Sequence, residues 1–205
     1  MSNLLDSVRE YATPELIGNI ARQLGESEGG ISKAVSGLAP VLLAGLIVKT
    51  GEPAAAEHIF QIVKNSGHTS GIVFDPSRPP SKQDFPAILF GAGLPAIINA
   101  VAAFSGTRPS SVSFLLDMLS PAVTGMLHGK IKAGQLDAAG FHAWLLDEQN
   151  TIFSALPTGL SSILGLPVQG HPDKNTPAAG GNPWLWPFLL LSGLGGGLLV
   201  YLKGC

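Results

Sequence analysis

Asn175 to Leu202 contain no Asp, Glu, Lys or Arg, and within that stretch Trp184 to Leu202 is a 19-residue run interrupted only by Pro187, Ser192 and four glycines. A helix of about 20 apolar residues, rising 1.5 Å per residue, crosses the roughly 30 Å hydrocarbon layer of a bilayer. The run therefore predicts a transmembrane helix over 184–202. Trp184, Trp186 and Tyr201 lie at its two ends, where amphipathic rings settle at headgroup level. Lys203 follows and can extend its ammonium toward water. Together these four residues read as a membrane anchor. Pro187 sits in the first turn, where its missing N–H costs little. Gly193 and Gly197 form a G-x-x-x-G pair that permits close helix–helix packing between two spans. The competing reading, a buried core helix, needs a large core around it. The Pro/Gly-rich segment upstream argues against such intimate docking.

That segment, 168–183, has no apolar period and reads as a flexible linker. Residues 1–167 are then the globular part. The orientation of the span is weakly marked, because Lys174 precedes it and Lys203 follows it. Met1-Ser2-Asn3-Leu4-Leu5-Asp6 has no basic segment leading into an apolar one, so it does not read as a secretory signal. The expectation is a single pass with the N-terminal domain in the cytoplasm.

Charge excludes one class of partner. The 12 Lys and Arg residues are scattered and the formal net charge is −2. A nucleic-acid binder shows clustered basic residues, so no nucleic-acid partner is expected. The single cysteine, Cys205, cannot form an internal disulfide.

Within 1–167 the apolar residues recur with helical period. Leu4, Leu5, Val8 and Tyr11 share a face. Thr13-Pro14-Glu15 is a helix start: a capping hydroxyl, a first-turn proline, and an acid near the positive end of the helix dipole. Leu16, Ile17, Ile20, Ala21 and Leu24 continue from it, and Gly25 stops it. Ile31, Val35, Leu38, Leu42 and Leu46 form the next stripe. Pro53 opens a helix bearing Ile59, Phe60 and Val63. Asp84 and Pro86 open one bearing Leu89, Leu94, Ile97, Ile98 and Val101. Asp137 caps one bearing Phe141, Trp144 and Leu145. No segment alternates with period two over strand length, so the fold class is all-α. Between these helices, Asn65 to Gln83 contains Gly67, Gly71, Pro76, Pro79 and Pro80 and reads as an exposed connecting loop.

The pattern repeats with an offset of 81, as the pairs Gly25/Gly106, Ile31/Val112, Val35/Leu116, Leu38/Leu119, Pro40/Pro121, Leu46/Leu127 and Lys49/Lys130 illustrate. Each half, about 1–65 and 84–167, would hold a helix, a glycine turn, a longer helix containing proline, and a further helix.

A search for chemistry returns no catalytic, cofactor-binding or metal-binding residues. His58, His68, His128, His142 and His171 show no ligand spacing. Gly67-His68-Thr69-Ser70-Gly71 misplaces the serine of a nucleophile elbow. Gly91-Ala92-Gly93 lacks the context of a phosphate loop and reads as helix-packing glycines. Asp147 and Glu148 are neighbours on a helix and point to different azimuths. No enzymatic activity and no cofactor are expected.

Three stretches carry a resemblance: Gly30-Ile31-Ser32-Lys33-Ala34-Val35-Ser36-Gly37-Leu38-Ala39-Pro40, Asn99-Ala100-Val101-Ala102-Ala103-Phe104-Ser105-Gly106, and Ala155-Leu156-Pro157-Thr158-Gly159-Leu160. They look like the bacterial YidB-like family of unknown function, over about residues 3–166. The resemblance implies a multihelical domain of two related halves, and it brings no catalytic residues. Some similar proteins continue through a membrane segment into an OmpA-like peptidoglycan-binding domain, which is missing from this sequence. The expectation is a membrane-anchored interaction or scaffold module of the bacterial cell envelope. Its partners would be the lipid bilayer and either a protein or a second copy of itself. The alternatives are the front part of a larger envelope protein, or a ligand-binding protein or enzyme with a pocket between the halves.

Overall fold

The computed structural model describes residues 4–10, 12–67 and 85–164. All of them belong to the first of two units, Met1–Val168, the second being Gln169–Cys205. The span over 184–202, the linker over 168–183, Trp184, Trp186, Tyr201, Lys203, Gly193 and Gly197 all lie outside the described residues. So do Tyr11, His68, His171 and nearly all of the 65–83 connection.

The described residues are all-helical. In chain order they form α1 (Leu4–Glu10), α2 (Pro14–Leu24), α3 (Glu28–Thr50), α4 (Pro53–Asn65), α5 (Phe85–Phe90), a 3₁₀ turn (Gly91–Gly93), α6 (Leu94–Ser105), α7 (Pro109–Gly134), α8 (Ala138–Asp147), α9 (Gln149–Ser154) and α10 (Leu160–Ile163).

α3 lies at the centre. A helix that is apolar on one stripe sits at a surface, whereas one apolar all round is buried. The run Gly37 to Ile47 is buried without a break, so α3 is enclosed on every side through its middle. Helices α1, α2, α4, α5, α6, α7, α8 and α9 all contact it. The sequence stripe of Ile31, Val35, Leu38, Leu42 and Leu46 is buried, and so are Ala39, Val41, Leu43 and Ala44, which lie off that stripe.

Local chemistry sets the helix ends. Thr13 Oγ1 accepts the Leu16 N–H at 3.2 Å, Ser27 Oγ accepts the Gly30 N–H at 3.0 Å, and Asp137 Oδ1 accepts the Gly140 N–H at 2.8 Å. Gly25 (φ 61°) and Gly106 (φ 71°) end α2 and α6 in the left-handed region, where a side chain is strained. After each glycine the chain turns into a long helix with an internal proline, Pro40 in α3 and Pro121 in α7. Around Pro121 the hydroxyls of Ser120 and Thr124 donate to the carbonyls of Leu116 at 2.7 Å and Ser120 at 3.0 Å, so these buried polar groups are satisfied within their own helix.

Three glycines let neighbours reach the α3 backbone. A Cβ at Gly30 would meet Thr107 Cγ2 at 2.9 Å, one at Gly37 would meet Phe104 at 3.2 Å, and one at Gly45 would overlap the Phe90 ring. These contacts run in opposite order along the two segments, so α5–α6 lies antiparallel to α3 along this seam.

One expectation is corrected here. The single helix read from Asp84 through Val101 is two helices, because Gly91 adopts φ 50° and breaks the ladder at a 3₁₀ turn. Cβ atoms at Gly91 and Gly93 would meet nothing within 4 Å, so these are turn residues and not helix-packing glycines.

Candidate functional surface

The most unusual surface comes from α5 and α6. From Phe85 to Thr107 there is no charged residue and no histidine. Three helical segments in the described residues are long and apolar enough to cross a membrane: Glu28–Thr50, Phe85–Ser105 and Pro109–Gly134. Their mean hydropathies are 1.9, 2.0 and 1.3, yet the buried shares of their apolar windows are 78%, 22% and 56%. The hydrophobic effect puts the most apolar segment inside, so the most apolar being the least buried is the informative exception. The outward side carries Ala87, Ala92, Pro95, Ala96, Ala103 and Phe104, with Asn99 as the polar exception. Phe90, Leu94 and Ile98 are half-buried along its edge. The opposite side, with Leu89, Ile97, Val101 and Ala102, is buried in the core.

This segment is pinned at its C-terminal end by a polar clasp that no local pattern announced. Glu26, in the α2–α3 turn, accepts through Oε1 from the Arg108 backbone N–H at 3.1 Å, Arg108 Nε at 2.9 Å and Ser111 Oγ at 2.7 Å. Arg108 also donates through Nη2 to the Leu24 carbonyl. The Glu26 side chain is 10% exposed and that of Arg108 is 61% exposed. The side-chain hydrogen bond from Arg108, then that from Ser111, holds the Glu26 carboxyl down from 4.5 to about 2. Because the folded-state value is depressed, the clasp stabilises fully above about pH 4.5 and its contribution disappears as pH falls toward 2. Glu26→Gln should therefore lower the urea midpoint at neutral pH, and the gap from the parent chain should close between pH 4.5 and 2. A gap that stays constant through that window would remove the clasp from the acid response.

A cavity of about 500 Å³ opens between α1, the C-terminal half of α7 and the α8–α9 junction. Leu4 and Met126 give it an apolar part, and Ser7, Glu10, Lys130 and Glu148 a polar part. Glu10 and Lys130 are exposed and Glu148 is half-buried, so its charges remain in contact with solvent. Lys130 Nζ also lies 5.6 Å from the centroid of the Trp144 ring, which stacks on Phe141 at 6.2 Å. Such a site can hold a polar ligand by ion pairing.

Two of the described histidines tie helices together. His142 Nδ1 lies 3.0 Å from Thr50 Oγ1. The Thr50 hydroxyl already donates to the Leu46 carbonyl at 2.8 Å, so His142 is the donor and ties α8 to the end of α3. His128 Nδ1 lies 3.3 Å from the Val63 carbonyl, which only accepts, and so bridges α7 to α4. His58 is exposed on α4. No group of three or more His, Cys, Asp or Glu side chains that could hold a metal ion occurs among the described residues. Asp147 is the last residue of α8 and Glu148 its C-cap.

No curated protein and no solved structure matches this chain in comparison. A family model described as a bacterial protein of unknown function, DUF937, matches residues 6–130. The matched region runs from α1 almost to the end of α7. It takes in α3, the glycine seam, the Glu26–Arg108 clasp and all of α5–α6. The chain belongs to the bacterial DUF937 family.

Proposed function

We propose that this protein is a membrane-anchored helical interaction module of the bacterial cell envelope, without enzymatic activity of its own. The observation that carries the proposal is the uncharged run over 184–202, with Trp184, Trp186, Tyr201 and Lys203 at its boundaries. In this reading the run is the single pass, the N-terminal domain is cytoplasmic, and 168–183 is the linker between them. Gly193 and Gly197 offer a close-approach face for a second span, which suits self-association. Family membership supports a bacterial setting. The YidB-like resemblance and the matched glycine turns and helix prolines support two related halves. The OmpA-like continuation that the YidB-like resemblance implies for some similar proteins suits an envelope role.

The test uses the full chain in its native membranes. Parent protein should stay with the membrane pellet after salt and carbonate washing. Leu190→Lys together with Leu191→Lys should release most of it, because each lysine at mid-bilayer costs about 2.5–3.5 kcal/mol. Parent protein that washes off entirely would overturn the anchored reading.

A second reading is a ligand-binding or enzymatic protein with a pocket between the halves. The cavity bounded by Glu10, Lys130 and Glu148 favours it, since α1 belongs to one proposed half and α7–α9 to the other.

A further inference from the structure

We propose that the outward side of α5–α6 is a lipid-contacting surface that rests on the bilayer by apolar contact alone. The inference rests on the membrane-anchored reading and adds to it a second contact, made by the folded domain.

Three observations favour lipid over other occupants. First, Phe85–Ser105 is the most hydropathic helical segment described and also the least buried, with 22% of its apolar window inside the fold. An uncharged strip of small apolar side chains left outside the fold is a candidate contact surface. Second, the surface is uncharged from Phe85 to Thr107, so a hydrocarbon boundary can cover it without desolvating an ion. The basic residues nearest in sequence, Lys82 and Arg108, fall on either side of that interval. Third, its side chains are those of a featureless apolar surface. Protein interfaces concentrate their energy in Trp, Tyr and Arg anchors, and none occurs between Phe85 and Thr107. Ala92, Pro95, Ala96 and Ala103 offer shallow relief, and Phe104, 43% exposed beside its contact with Gly37, is the one larger exposed apolar side chain of the segment. A fluid lipid surface rewards such area without demanding a register.

The residues beyond the described unit supply the proximity. They include the 19-residue run over 184–202. In the anchored reading that run holds the domain beside the bilayer, where even a weak surface contact becomes intramolecular and is therefore populated. Surface-lying helices that bind through anionic headgroups carry Lys and Arg on their polar face. This segment has none, so its contact should not depend on lipid charge or on salt.

The experiment uses the full chain in a Cys205→Ser background, reconstituted into neutral phosphatidylcholine vesicles. An environment-sensitive fluorophore is placed at Ala96→Cys on the surface, or at Ser32→Cys on the exposed side of α3 as the control. Both positions are exposed, and unchanged circular dichroism melts verify that each labelled chain folds. The expected result is a blue-shifted Ala96 probe, quenched severalfold more than the Ser32 probe by nitroxide lipids. Raising the salt or adding anionic lipid should leave that ratio unchanged. A chain that fails to float with the vesicles overturns the anchored reading, and this inference with it. A chain that floats while the Ala96 probe stays red-emitting and unquenched overturns the lipid contact alone. A blue-shifted probe that lipid nitroxides do not quench, accompanied by crosslinks between copies, replaces lipid with a second copy and also overturns the proposal.

Discussion

Replacing Leu43 with alanine should destabilise the fold by about 2–5 kcal/mol, and replacing it with aspartate should abolish the folded state. Leu43 is 0% exposed, as are Leu42 and Leu46 around it, so truncation leaves a void whose lining cannot collapse onto solvent. A single domain holds only about 5–15 kcal/mol of total stability, so the alanine variant uses a large fraction of the margin. The aspartate adds a carboxylate with no partner where apolar side chains surround it, and the uncompensated group exceeds that margin. Urea unfolding followed by circular dichroism reads the first variant, and the loss of a cooperative transition reads the second. Val48→Ala is the control, since Val48 is 42% exposed on the same helix. Its cost should stay within about 0.5 kcal/mol, plus any gain from alanine's helix propensity. A Leu43→Ala cost as small as that of Val48→Ala would remove α3 from the centre of the fold.

The second large effect concerns the seam between α3 and α5. Gly45→Val should cost about 1–3 kcal/mol, because any Cβ at this position overlaps the Phe90 ring. The ring is half-buried and can swing outward, which limits the loss for Gly45→Ala and increases it for the branched valine. The seam makes a sharper claim in a double-mutant cycle. Phe90→Ala removes the obstructing ring, so Gly45→Ala should be close to neutral or stabilising in that background through alanine's better helix propensity. Additive costs in the cycle would mean that the two positions do not meet.

The helix ends were legible in the sequence because their causes are local. The hydroxyl at Thr13, the carboxylate at Asp137 and the left-handed glycine at Gly25 each act within four residues. The all-round burial of α3 was not legible as such. Its five-residue stripe predicts one buried face, while the burial of Ala39, Val41 and Leu43 depends on which helices arrive from elsewhere in the chain. The break between α5 and α6 does have a local signal. Pro95 lies in the first turn of α6, just after Gly91-Ala92-Gly93, a helix start set beside a permissive turn. Helices α9 and α10 span six and four residues, too few for an apolar period to register.

The candidate surface was legible in part. The absence of charge between Phe85 and Thr107 is plain in the sequence, but which side of that segment the core takes up is a tertiary fact. The Glu26–Arg108 clasp joins residues 82 apart and has no local signature. The anchor residues Trp184, Trp186, Tyr201 and Lys203, with the glycines at 193 and 197, remain readings of the sequence, and they carry the proposed function.

The enclosure of α3 separates two segments that hydropathy alone would rank as equals. Glu28–Thr50 and Phe85–Ser105 are nearly as apolar as each other. Pulling α3 out of its surroundings would strip cover from eight neighbouring helices at once, so its exit is bound to the collapse of the whole unit. The outer side of α5–α6 meets its surroundings with the fold intact.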